Sequence, residues 1–130
     1  MSLVEQVTQF ERKTICFDGV QQSYREAGQG KTVVLLHGIS SGSASWVKQL
    51  QDLSHDFHLI AWDAPGYGHS DALGNTTPNA TDYAKRLKGM LDALNIKNVI
   101  LVGHSLGALQ AAAFNALYPE CVEALVLANV

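Results

Sequence analysis

Along the chain, short runs that are apolar at every position alternate with longer stretches whose apolar residues recur every three or four positions. Val33-Val34-Leu35-Leu36, Leu59-Ile60-Ala61-Trp62 and Val99-Ile100-Leu101-Val102 are the unbroken runs. Strands covered on both faces of a largely parallel sheet read this way, because neither side can be polar. After the first run, Trp46, Val47, Leu50 and Leu53 mark one helical face, with the small polar residues 40–45 available for an N-cap. Tyr83, Leu87, Met90, Leu91 and Leu94 mark a second helix, which Asn79 or Thr81 can cap. An Ala-rich stretch reaching Tyr118 predicts a third, which Pro119 ends. Upstream, residues 14–17 and 22–26 read as strands joined by Asp18-Gly19, a pair suited to the positive φ of a hairpin turn, and 122–130 as a last strand. The expected fold is α/β: a mostly parallel sheet of about six strands with helices on both faces, in one domain over 1–130 with residues 1–12 as a lead segment.

Composition narrows the partners. A chain of 130 residues fits one domain of normal size. With 47% hydrophobic and 16% charged residues it is too apolar to be disordered, and no apolar run approaches the roughly 20 residues that span a bilayer. Nine Lys and Arg against twelve Asp and Glu leave a net charge of −3, which offers phosphate backbones no basic surface, so neither nucleic acid nor membrane is expected as a partner. The start, Met1-Ser2-Leu3-Val4-Glu5-Gln6, has neither the charged nor the apolar region of a signal peptide, and a cytoplasmic location is expected. Cys16 and Cys121 are then reduced thiols rather than a disulfide framework, and the glycosylation patterns at Asn75 and Asn79 are ordinary loop polarity.

Candidate chemistry centres on Gly103-His104-Ser105-Leu106-Gly107, a G-x-S-x-G. The bare pattern should arise by chance in roughly one chain in twenty-five of this length, so its context decides. It lies between an apolar strand and an amphipathic helix, where a nucleophile elbow must lie. A serine at so tight a bend has a strained backbone, and a Cβ on either flanking glycine would collide with the neighbouring strand or helix. The bend pushes the Ser105 hydroxyl out of the sheet while the following helix aims N–H groups at any oxyanion formed there. Leu106 N–H is the expected first oxyanion donor. Ile39 N–H, in the His37-Gly38-Ile39-Ser40 turn after another central strand, is the expected second. Gly38 would let that backbone approach the substrate, and the Ile39 side chain would line the acyl pocket.

Leu36-His37-Gly38, Asp63-x-x-Gly66-x-Gly68-x-Ser70 and Gly103-His104-Ser105-Leu106-Gly107, in that order and each after a strand, resemble the α/β-hydrolase superfamily over residues 14–130. Within it the chain is similar to the small esterase, carbon–carbon hydrolase and cofactor-free haloperoxidase-like group, rather than to lipases with three glycines after the His. The resemblance implies a catalytic acid and a His after the nucleophile. No His follows Ser105, and Glu120 and Glu123 precede or begin the last strand instead of following it. These residues are therefore expected to be the N-terminal portion of a longer hydrolase, inactive alone. The C-terminal strands and helices would lie beyond, and the apolar last strand would pair with them or with another chain.

Other residues read more plainly. His37 and His104 are expected to be structural rather than bases, as are Gly38, Gly103 and Gly107. His55 and His58 have metal-ligand spacing but no third ligand and are expected to be a solvated loop pair. Asp63 should bond local backbone N–H groups, and Trp46 and Trp62 should be core. Gly30-Lys31-Thr32 lacks the first glycine and the helix of a phosphate loop, and Gly66-x-Gly68 lacks the third glycine of a dinucleotide fingerprint, so neither metal nor cofactor is expected. The function expected is a serine hydrolase cleaving a small carboxylic ester or related acyl bond through an acyl-enzyme on Ser105. The alternatives are an acyltransferase or perhydrolase, or a non-catalytic interaction module if the chain is complete.

Overall fold

A computed structural model of the chain describes residues 9–128. Most of the expected lead segment and the last two positions of the expected final strand lie outside these residues. Strands β1 (Arg12–Phe17) and β2 (Val20–Ala27) pair antiparallel about Asp18 and Gly19, whose φ values of 50° and 77° are those a two-residue hairpin turn requires. Both strands are longer than the expected 14–17 and 22–26, because backbone pairing extends through polar residues such as Arg12, Lys13 and Gln21.

Four more strands follow: β3 (Thr32–Leu36), β4 (His58–Trp62), β5 (Val99–His104) and β6 (Val122–Ala128). They alternate with helices α1 (Val47–Leu53), α2 (Ala80–Ala93) and α3 (Leu106–Leu117). The sheet order is β1-β2-β4-β3-β5-β6, antiparallel as far as β4 and parallel from there on. From β3 the chain steps one way to β4 and then back past β3 to β5. Right-handed crossovers in opposite directions put their helices on opposite faces of the sheet. Leu50 of α1 accordingly packs on Val33, Leu35, Leu59 and Ala61. On the other face Leu87 and Met90 of α2 and Phe114 of α3 pack with Val34, Leu36, Ile60, Trp62 and Leu101. Successive strand residues thus serve two cores, which is why the runs are apolar throughout.

Two local expectations are corrected. The small polar residues 40–45 do not cap α1. Residues Ser43–Trp46 form a 3-10 turn, and α1 starts at Val47 with no side-chain cap, the Ser43 and Ser45 groups being bonded elsewhere. His58 is not in a solvated loop: it opens β4, with Nε2 on Glu26 at 2.5 Å and Nδ1 on Thr32 Oγ1 at 3.0 Å. Of the two candidate caps for α2, Asn79 is the one used, in a reciprocal box with Asp82. β6 is only partly covered: Val122 and Leu125 reach the α2/α3 core while Val126 and Leu127, on opposite faces, stay 50% and 40% exposed. Among the described residues no helix is long and apolar enough to cross a membrane.

Candidate active site

Reversal of direction at β3 leaves a crevice between the carboxyl ends of β3 and β5, the place where open α/β sheets hold ligands. Leu36 pairs with Gly103, so both strands run out at the same level and the turn after β3 lies directly against the bend after β5. The approach is close: a Cβ on Gly38 would sit 3.2 Å from the Ser105 Cβ and 3.0 Å from His104 Nδ1.

Ser105 has φ 57° and ψ −117°, a conformation that a side-chain-bearing residue rarely adopts. Its surroundings enforce it. The Ser105 N–H donates to the Ala128 carbonyl at 2.9 Å and its own carbonyl accepts from Ala108 N–H at 2.9 Å, so the bend is tied to β6 on one side and to α3 on the other. A Cβ on Gly103 would fall 2.7 Å from the Ala108 Cα, and one on Gly107 would run into the Leu36 carbonyl. The serine is half-buried, and Leu106 begins α3. Its N–H belongs to the first turn, whose amides have no carbonyl within the helix.

The facing turn is built around His37, which is buried. Its Nε2 accepts from Ala64 N–H at 2.9 Å, so the ring proton is on Nδ1, which donates to the Gly38 carbonyl at 2.8 Å. Burial pushes the His37 pKa below its usual range, and with both nitrogens engaged the ring is held neutral. Ser41 N–H also donates to the Gly38 carbonyl, at 3.2 Å, and Ser40 N–H to Tyr67 Oη, at 2.9 Å. The Ile39 side chain is 69% exposed beside the bend.

Asp63, fully buried, holds the far end of this turn, and here the expectation of purely local bonds is corrected. Its carboxylate accepts from Ser43 N–H at 2.9 Å, Ser23 Oγ at 2.6 Å and Arg12 Nε at 2.9 Å. Its carbonyl accepts from Ser70 Oγ at 2.6 Å and Gln22 Nε2 at 2.5 Å. Burial pushes the Asp63 carboxyl up, but the bonds from Ser23 and Ser43 and the Arg12 charge outweigh it, and the net displacement is below the usual carboxylate range. Tyr67, Ser23 and Gln22 had no sequence signal of this role. Ser70 had one, its fixed place in the Asp63-x-x-Gly66-x-Gly68-x-Ser70 pattern.

His104 lines a pocket of about 230 Å³ together with Ser41, Ser45, Trp46 and Gln49. This pocket lies beside the elbow and does not include Ser105. Trp46 therefore lines a pocket as well as leaning on the α1 core, whereas Trp62 is wholly core.

The profile of the alpha/beta hydrolase fold family matches residues 31–130. A 2-hydroxy-6-oxononadienedioate/2-hydroxy-6-oxononatrienedioate hydrolase of Paraburkholderia phymatum is 39% identical over 109 residues, 80% of this chain and 38% of that protein. A 2-hydroxy-6-oxo-6-phenylhexa-2,4-dienoate hydrolase of Comamonas testosteroni is 32% identical over 108 residues, with the same coverage of 80% and 38%. Among solved structures, a Vigna radiata epoxide hydrolase mutant superimposes with a TM-score of 0.87 at 28% identity, over 95% of this chain and 39% of that one. The chain thus spans about two fifths of the length of these relatives. With the sheet order, the bend at Ser105 and the family profile in agreement, the chain belongs to the α/β-hydrolase fold family.

Proposed function

We propose that the protein carrying this chain is a serine hydrolase that cleaves a small carboxylic ester or related acyl bond through an acyl-enzyme on Ser105. The observation that carries this reading is the strained bend at Ser105, placed at the sheet's switch point against a second turn rich in backbone amides. Ser105 Oγ attacks the carbonyl carbon, and its proton passes to a His supplied from beyond residue 130. The oxyanion is received by the N–H groups of Leu106 and Ile39. The leaving group departs with the proton, water attacks the acyl carbon, and Oγ takes a proton back as the acid is released. Without that His the hydroxyl is a poor nucleophile, on the order of a million-fold slower. This chemistry requires no cofactor.

Nucleophile chemistry separates this chain from the activity its structural neighbour is named for. A serine that opened an epoxide would become an alkyl ether, with no carbonyl carbon for water to attack, and turnover would stop after one event. An acyl carbon has no such dead end. The names of the curated relatives favour one further substrate class, a carbon–carbon bond next to a ketone. There the carbon fragment leaves as a stabilised enolate that takes up the proton.

Pre-steady-state kinetics of the full-length protein with an activated aryl ester tests the proposal. A burst of one aryl alcohol per protein is expected, and Ser105→Ala should abolish it and lower kcat by about a million-fold. A burst that survives Ser105→Ala refutes the assignment. Adding an alcohol separates hydrolysis from acyl transfer by the ester product.

A further inference from the structure

Tyr67 lies in the glycine loop that follows β4, and nothing in the chemistry above uses it. Its backbone is pinned, with Tyr67 N–H donating to the Ala64 carbonyl at 2.8 Å and Ser70 N–H to the Tyr67 carbonyl at 2.9 Å. The half-buried ring meets His37 edge-on, with centroids 4.7 Å apart. Its hydroxyl crosses to the turn after β3 and accepts from Ser40 N–H at 2.9 Å. Ser40 is exposed and left-handed, with φ 62°, so this bond supports a conformation that a serine disfavours.

Ile39 stands between two peptide planes, and both are held. In the Gly38–Ile39 plane the carbonyl is taken by His37 Nδ1–H and by Ser41 N–H. The chain has no cis peptide among the described residues, so the Ile39 N–H points opposite to that carbonyl, away from its own turn. The Ile39–Ser40 plane is held at its N–H end by Tyr67, at 2.9 Å, and at its carbonyl only by the long bond from Ser41 Oγ, at 3.5 Å. We infer that Tyr67 is a positioning residue: its hydroxyl locks the plane after Ile39, and its ring backs the His37 that locks the plane before, so that the Ile39 amide keeps one direction during turnover. This rests on the reading of Ile39 N–H as an oxyanion donor.

The test is Tyr67→Phe in the full-length protein, which keeps the ring on His37 and removes only the acceptor. An oxyanion donor acts in the transition state and not on bound substrate, so its misaiming should lower kcat and spare KM. Loss of a whole donor costs about a hundred-fold or more, and a loosened one should cost about ten-fold. We expect kcat for an aryl ester to fall about ten-fold, KM to stay within about two-fold, Tm to hold, and the Ser40 amide to exchange hydrogen faster. An unchanged kcat with faster Ser40 exchange overturns the inference, as does a rise in KM alone. The unmodified protein gives a second reading that needs no variant: the Ser40 amide must exchange more slowly than that of Ile39, and equal rates overturn the clamp. If Ser105 forms no acyl-enzyme at all, the proposed function falls, and the inference with it. If Tyr67→Phe acylates at the unmodified rate, only the inference falls.

Discussion

At Ser105 the backbone is held in a conformation that its side chain disfavours, and the cost is met by neighbours that leave it no alternative. The Ala128 carbonyl, α3 and the close approach of Gly103 and Gly107 fix the bend between them. His37 shows the same economy in charge. Its ring bridges Ala64 and Gly38 only when neutral, and burial keeps its pKa low. As pH falls below about 6.5 the unfolded histidine takes up a proton that the native one resists, so native stability must fall from there downward. We expect urea midpoints of the full-length protein to drop between pH 7 and pH 5, and the drop to be smaller in His37→Asn. An identical drop in both would show that the ring is free to charge. At this scale the sequence was readable where chemistry is local. The steric reason for Gly103 lies within five residues, at Gly107 and Ala108, and although Gly107 is required by the distant Leu36 and His37 carbonyls, its place in the pattern is still local. The role of Tyr67 depends on a turn 27 residues away, and no local pattern encodes that.

Among the elements, the apolar runs identified strands and helices well because each strand residue faces one of two cores. Boundaries and caps were harder. The polar residues 40–45 look like a helix cap, yet Ser43 is claimed by Asp63 and Arg25, partners 20 and 18 residues away, and a 3-10 turn results. His58 likewise looks like loop polarity until Glu26 and Thr32 are brought beside it. Asp63 is the junction of these elements, joining β1 through Arg12, β2 through Ser23 and the 3-10 turn through Ser43. Replacing its charge leaves buried donors without their acceptor. Asp63→Asn should therefore cost about 3 kcal/mol in urea unfolding. The native carboxyl titrates below its unfolded value, so its contribution is full above that value, near pH 4, and is lost as pH falls through the lower native one. The variant should accordingly lose less stability than the unmodified protein below pH 4. A loss under about 0.5 kcal/mol, or an unchanged acid limb, would show that the network is slack.

For the whole molecule, function follows from strand order. Placing β4 on one side of β3 and β5 on the other brings to a common rim the two turns that follow Leu36 and Gly103, residues 67 positions apart in the chain. Apolar runs say that strands are buried but not which strand lies beside which, so the order was accessible only through the resemblance of three motifs to a known family. The central claim is geometric, and the most direct measurement is a crystal structure of the full-length protein after reaction with an alkyl fluorophosphonate, whose phosphorus, once bonded to the serine, mimics the tetrahedral intermediate of acyl transfer. We expect phosphorus bonded to Ser105 Oγ and its free oxygen within about 3.1 Å of both the Leu106 and the Ile39 nitrogen. Phosphorus on another residue, or that oxygen turned from either amide, would contradict the claim.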